Sequence, residues 1–297
     1  MKVEKFFKDI KLLSYLEEFI EIYKKRPIKN NIGGMGFNHS FALFSVIKEL
    51  DIKKVYESGI YKGHSTWLIE QISDDIEIVA IDIDLNLREY ISTSKNVTYY
   101  EGDLHDLSLK NDDKEKTLFF FDDHTNVLNR IIFLSAWNFK YAVFEDNYPP
   151  GQGDCYSVRK IKNNSGQSLY EWFPDYTPLK RRFRNKYLQK LFNISIDSKQ
   201  ALPYFLENYP NYQNKLRAEN KTDEILFNLL VENDYEIQPF YLYEKQRWGN
   251  EWTNQYKPLP PLIKDFKDSI YDKDLKIFQD ESEDIFNYTY FSLVQLK

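Results

Sequence analysis

One cysteine, Cys155, supplies the only thiol of this 297-residue chain. A lone thiol excludes an internal disulfide and any zinc site built on cysteines, and it suits a reducing compartment. Histidine is scarce as well, with four residues, and no Ser-His-Asp or Cys-His arrangement emerges around them. Long apolar runs are missing: none approaches the ~20 residues that a membrane-spanning helix needs. The N-terminal "MKVEKFFKDIKLL" interrupts its apolar residues with charge, as an amphipathic helix does and a signal peptide does not. Basic residues are not in excess either, because the formal net charge is −6, which leaves no overall footprint for nucleic acid. The expectation is a cytoplasmic protein with neither a membrane span nor a nucleic-acid partner.

Aromatic residues, by contrast, are abundant: 23 Tyr and 22 Phe. They read as the codon bias that also enriches Lys, Asn and Ile, ahead of any special stacking surface. One local run departs from the acidic balance. "LKRRFRNKYLQK", residues 179–190, carries six cations and reads as a solvated helix face or as a contact for an anionic group, such as a phosphate on an acceptor.

Between Asp51 and Asp146, short apolar runs alternate with helical segments, the pattern of parallel strands joined by crossover helices. The runs are "KKVYES", "IEIVAIDID", "NVTYYEGD", "TLFFFDD" and "YAVFEDN". Several are apolar on both faces, as strands covered on both sides should be. Their polar residues gather at the carboxyl ends, the edge where open α/β sheets bind ligands. "GGMGFNHSFALFSVIKEL" predicts a glycine-rich loop and an apolar helix leading into the first strand. "TDEILFNLLVEN" predicts a later helix, capped by Thr222 and striped with Ile225, Leu226, Leu229 and Leu230. "IQPFYLYE", Ile237 to Glu244, and the terminal "YTYFSLVQLK" predict two strands returning as an antiparallel pair. The expected fold is α/β, a Rossmann-like doubly wound sheet with a helical insertion. Its expected segments are N-terminal helices over 1–50, a cofactor-binding core over 51–160, an insertion or lid over 161–235 and completion of the sheet over 236–297.

"YESGIYKGHST", Tyr56 to Thr66, marks a strand-to-helix turn. Gly59 and Gly63 let a ligand approach the backbone, and the helix start offers unpaired N–H groups. A dinucleotide fingerprint would want glycine where Tyr61 stands, and a P-loop would want lysine where His64 stands. Glu57 would repel a pyrophosphate but suits a cationic group. Asp82, at the end of the second strand, is placed for a ribose diol. Asp103, in "EGD", is placed for an adenine amino group, or is an ordinary turn residue. Ribose, adenine and a positive charge without phosphates describe S-adenosylmethionine.

These stretches, with "FFFDDH" and "FEDN", resemble the class I S-adenosylmethionine-dependent methyltransferases, and are similar in particular to the branch of macrolide-sugar O-methyltransferases and cephalosporin hydroxylase-like proteins. The resemblance covers about residues 33–157. It implies that Glu57, Gly59, Gly63 and Ser65 surround the methionine end of the cofactor, with Asp82 on the ribose, Asp103 on the adenine and Asp122 also facing the cofactor.

Two adjacent strands end in "FDDH" and "FEDN", bringing Asp122, Asp123, Glu145 and Asp146 to one edge. Crowded carboxylates raise one another's pKa unless a cation lies among them, and a hard divalent ion such as Mg²⁺ takes oxygen ligands of this kind. Neighbours within a strand point oppositely, so both members of a pair reach one site only if the strand has ended there. The resemblance implies a metal on Asp123 or Asp122 with Glu145 and Asp146, and a base histidine for which His124 is the candidate. The family usually has two residues between aspartate and histidine, whereas His124 directly follows Asp123. Asp123 and His124 form the expected catalytic pair.

His39 could line the cofactor mouth or cap its helix, His64 begins the helix after the glycine loop, and His105 reads as a surface loop residue. Asp154, Tyr156 and Ser157, in "GQGDCYS", could shape an acceptor pocket or only a turn. The expected activity is a Mg²⁺-dependent O-methyl transfer to a hydroxyl of a sugar or other polyol-bearing small molecule or glycan. The same fold carrying different chemistry, as in cephalosporin hydroxylase-like proteins, and a non-catalytic binding module are the alternatives. Homo-oligomerisation is left open.

Overall fold

The computed structural model describes residues 11–148, 155–163, 222–237, 245–246, 287–288 and 291–297. Helices α1 (Lys11–Tyr23) and α2 (Phe37–Glu49) precede β1 (Lys54–Ser58), α3 (His64–Glu70), β2 (Glu77–Asp82) and β3 (Val97–Glu101). Then come β4 (Thr117–Phe121), α4 (Val127–Ala136), β5 (Tyr141–Phe144), α5 (Val158–Lys162), α6 (Thr222–Leu230) and β6 (Val231–Ile237). β7 (Lys245–Gln246) pairs with β8 (Asn287–Tyr288) apart from the main sheet, which β9 (Phe291–Leu296) completes.

The main sheet has seven strands in the order β3-β2-β1-β4-β5-β9-β6. Strands β1 to β5 are parallel, while β9 runs antiparallel to both β5 and β6. This is the α/β, Rossmann-like doubly wound architecture expected from the alternation of elements. Helices α1 to α3 cover one face and α4 to α6 the other, giving two separate apolar layers. Alternation along β4 explains why both layers need it: Phe120 packs into the first, Phe119 and Phe121 into the second, and all five residues of the strand are buried. Burying each phenylalanine contributes about 1.5–3 kcal/mol, so this run anchors the polar residues that follow it.

The C-terminal pair differs from expectation in one member. Its first strand is Val231–Ile237; of the expected run from Ile237 to Glu244, residues 238–244 lie outside the described residues. The segment "VENDYEI" hides its strand character because it is the sheet edge, where charge discourages pairing with another chain. Residues 222–235, which the sequence reading grouped with the 161–235 segment, form α6 and most of β6. α6 packs on α4 and α5, and 164–221, including the basic run, lies outside the described residues. Among the described residues, no helix is long and apolar enough to cross a membrane.

Register sets the site. Ser58 pairs with Phe121, and Phe121 with Phe144, so β1, β4 and β5 end side by side. The strand order reverses between β1 and β4, and a crevice opens at such a switch point.

Candidate active site

The turn after β1 is shaped by its glycines. Gly59 has φ +92°, and a Cβ there would lie 2.0 Å from the backbone oxygen of Asp122. Gly63, also at φ +92°, caps α3, and a Cβ there would come within 2.7 Å of the Tyr90 oxygen. The glycines thus let three loops of the sheet edge pack backbone to backbone. Asp82 fastens the turn: its Oδ2 accepts from the Ile60 N–H at 2.7 Å and the Tyr61 N–H at 3.2 Å, and its Oδ1 accepts from the Asp84 N–H at 3.0 Å.

Glu57 is wholly buried behind this turn. Its Oε2 accepts from Thr66 Oγ1 at 2.6 Å, while Oε1 meets no donor in hydrogen-bonding geometry among the described residues. Burial pushes its pKa up from 4.5 to about 7, against the hydroxyls of Ser65 and Thr66, which favour the charged form. The direction fixes a pH dependence. Because the folded pKa is the higher one, the Glu57 contribution is intact below about pH 4.5, is lost as pH rises through about 7, and costs about 3 kcal/mol above that. Glu57→Gln should therefore be more stable than the parent in urea melts at pH 8, with the gap closing towards pH 5. An equal or lower midpoint at pH 8 would contradict this.

The end of β4 separates its two aspartates. Asp123 is saturated by protein: Ser58 Oγ donates to Oδ2 at 2.7 Å, Arg130 Nη2 at 2.7 Å, and Thr125 Oγ1 donates to Oδ1 at 2.7 Å. Arg130, on α4 and nearly fully buried, also grips Asp103 through two bonds of 3.0 Å. Asp103 further accepts from the His105 backbone N–H and lies 2.5 Å from its Nδ1. Burial alone would raise the Asp103 pKa, yet His105 and Arg130 hold it well below the usual carboxylate range. The carboxylate placed for adenine is thus already engaged by Arg130 and His105. His105 is no free surface residue either, since its ring packs on Phe133 at 4.6 Å. Sequence reasoning missed Arg130, whose signal was one cation inside the apolar helix "VLNRIIFLSA".

Asp122 and Asp123 both line the cleft at the end of β4. One ligand atom from each of Asp122, His124 and Asp146 lies within 4.8 Å of the others. His124 Nδ1 is 3.1 Å from Asp146 Oδ2, and the histidine side chain is 54% exposed at the mouth. Its backbone is left-handed, with φ +51°, an uncommon state for a non-glycine residue that clusters at functional sites. Phe121 and Phe144, stacked at 5.1 Å, floor this cleft, with Cys155 beside them.

The Glu145–Asp146 pair does not converge on it. β5 ends at Phe144, but the Glu145 N–H still bonds the Phe121 oxygen at 3.0 Å, so alternation persists for one more residue. Glu145 turns to the α1–α3 face, where its Oε1 lies 2.6 Å from His39 Nδ1. The expected quartet thus splits: Asp122 and Asp146 meet, whereas Asp123 and Glu145 are occupied elsewhere. Of the remaining candidates, Ser65 is buried at the start of α3, and His64 Nε2 lies 3.1 Å from Ser40 Oγ. Ser157 caps α5, Tyr156 bonds Asp223, and Asp154 lies outside the described residues.

No family model and no curated protein matches the chain. Solved structures are similar to it at a distance. One is CmcI described with Mg-SAM, at 18% identity over 51% of this chain and 59% of that one, TM-score 0.33. A protein of Klebsiella pneumoniae described as an O-methyltransferase has 11% identity over 97% and 90%, TM-score 0.38. A Staphylococcus aureus protein described as a caffeoyl-CoA O-methyltransferase has 15% over 64% and 96%, TM-score 0.35. The chain spans about three fifths of the CmcI chain.

Proposed function

We propose that this chain is an S-adenosylmethionine-dependent O-methyltransferase, assisted by a divalent ion such as Mg²⁺, acting on a hydroxyl of a sugar or other polyol-bearing small molecule. The observation that carries the reading is the junction at Gly59. There the turn that follows Glu57, fastened by Asp82, packs on the backbone of Asp122, which supports a cofactor half and an acidic half lying side by side at the sheet edge. Glu57 fits the cofactor because a buried oxygen lacking a well-placed donor suits a ligand ammonium. Asp82 fits a ribose at the end of β2, and the carboxylates of Asp122 and Asp146 fit a hard cation.

When bound, the cofactor supplies the methyl group and the ion lowers the pKa of the acceptor hydroxyl. The side chains do the rest. Asp122 and Asp146 would hold the ion, leaving coordination positions for neighbouring hydroxyls of an acceptor. His124, whose Nδ1 lies 3.1 Å from Asp146 Oδ2, would take up the hydroxyl proton, a role worth about 10²–10⁴ in rate. The apolar floor of Phe121 and Phe144 keeps bulk water from that side of the cleft.

Calorimetry with S-adenosylmethionine tests the reading. Asp82→Ala should weaken binding by about 10–100-fold, from the loss of charge-assisted hydrogen bonds. His124→Ala should spare binding and remove turnover of any acceptor. Unchanged affinity in Asp82→Ala, or no binding by the parent chain, would sink the cofactor assignment.

A further inference from the structure

His124 stands in a turn, since β4 ends at Phe121 and α4 begins at Val127. Its φ of +51° is left-handed, and a residue with a Cβ keeps such a state only where its surroundings over-determine it. The two chain neighbours of His124 supply that constraint. Thr125 folds back on Asp123, its N–H and Oγ1 both donating to Asp123 Oδ1, at 3.3 and 2.7 Å. Ser58, at the end of β1, donates to Asp123 Oδ2 at 2.7 Å. Arg130 braces both flanks at once: Nη2 donates to Asp123 Oδ2 at 2.7 Å, and Nε donates to Thr125 Oγ1 at 3.2 Å.

Arg130 is itself fixed. Its backbone N–H bonds the Asn126 oxygen at 3.2 Å in the first turn of α4, and its side chain is buried. The guanidinium carbon lies 5.5 Å from the centre of the Phe121 ring. The same group grips Asp103, beyond the end of β3, through two bonds of 3.0 Å. A guanidinium presents its donors in a rigid fork, so these bonds set the His124 turn relative to α4 and to the end of β3 together.

We infer that Arg130 is a positioning residue for His124: it brackets the histidine through Asp123 and Thr125 and so fixes where the imidazole stands at the mouth of the cleft. This rests on the reading of His124 as the group that takes up the acceptor proton. A base must lie within hydrogen-bond reach of that proton, and a displacement of about 1 Å costs up to about 10²-fold in rate. Lysine at this position keeps a cation but exchanges the fork for one flexible point charge, which does not hold both flanks.

The four histidines make the test direct, because each ring gives its own resonance in the full chain labelled with ¹³C-histidine. His124 is identified by its loss in His124→Ala. His39, on α2, and His64, at the start of α3, lie on the opposite layer and report the fold. In Arg130→Lys the His124 resonance should move by more than its line width or broaden away, with His39 and His64 in place. His105, whose Nδ1 is 3.0 Å from Arg130 Nη1, should move as well. An unmoved His124 resonance beside a shifted His105 overturns the inference. Movement of all four resonances in a folded protein also overturns it, by assigning Arg130 to the scaffold at large. Should Arg130→Lys lose the fold, Thr125→Val removes one flank at nearly constant volume; a moved His124 then supports the brace and an unmoved one refutes it. Calorimetry with S-adenosylhomocysteine keeps the two claims apart. A parent chain that binds none removes the catalytic reading, and the role assigned to Arg130 with it, whatever the resonance does.

Discussion

Gly59→Ala is expected to destabilise the protein by about 4 kcal/mol or more, at the extreme of what single substitutions do. Two penalties combine at this position. A φ of +92° is open to glycine but strained for any residue with a Cβ. The new methyl carbon would also stand 2.0 Å from the Asp122 carbonyl oxygen, well inside contact distance, and that neighbour is backbone, not a flexible side-chain tip. Relief requires β1 and β4 to separate at their carboxyl ends. Because Asp122 N–H bonds the Ser58 oxygen at 2.8 Å, the ladder would lose its last rung as well. Urea denaturation measures the loss, and a change below about 1 kcal/mol would show that the turn can re-form around a side chain. Any Gly59→Ala protein that remains folded should have lost Mn²⁺ binding, since Asp122 moves with its backbone.

Arg130→Met should cost about 3–5 kcal/mol, the range for breaking a buried ion pair from one side. Methionine fills similar space on α4 but strands Asp123, which Arg130 bonds at 2.7 Å, while Asp103, 43% exposed and still met by His105, adds less. The sign of the pH dependence distinguishes lost charge from lost packing. Asp103 is held below its usual range, so its contribution is present above the unfolded pKa near 4 and is lost as pH falls through the folded value. The gap between parent and Arg130→Met should hence be widest near neutrality and narrow in acid. A gap that does not change with pH would assign the loss to packing. Asp123→Asn with Arg130→Met should recover part of the stability, because the more buried of the two uncompensated carboxylates is then neutral.

The Glu57 and Arg130 expectations run in opposite directions, and the contrast is instructive. Both residues are buried and polar, yet Arg130 is matched by two carboxylates whereas one oxygen of Glu57 meets no donor in hydrogen-bonding geometry among the described residues. Matched buried charge holds the scaffold, and unmatched buried charge is retained where a ligand supplies the partner. Glu57→Gln should accordingly gain stability at pH 8 while losing affinity for a cationic ligand.

The order of elements was legible because alternation and helical periodicity are local. "TLFFF" could only be a strand with both faces covered, and the strand-end acids could only collect at one edge. A strand at Val231–Ile237 was not expected because an edge strand carries charges that mask its period. Asp123 was expected at the metal, but its carboxylate is consumed by Ser58, Thr125 and Arg130, of which Arg130 reaches it from α4 across the loop.

The amino-acid sequence by itself determined the parallel sheet, the glycine turn after β1 and the edge where the acids gather, since each follows from spacing within one segment. Only the tertiary structure decided which partners the acids of each adjacent pair meet. Alternation says that neighbours diverge, but not which face holds a partner. The partners, His39 on α2 and Arg130 on α4, arrive from other elements, and their positions exist only once the two helical layers have closed on the sheet.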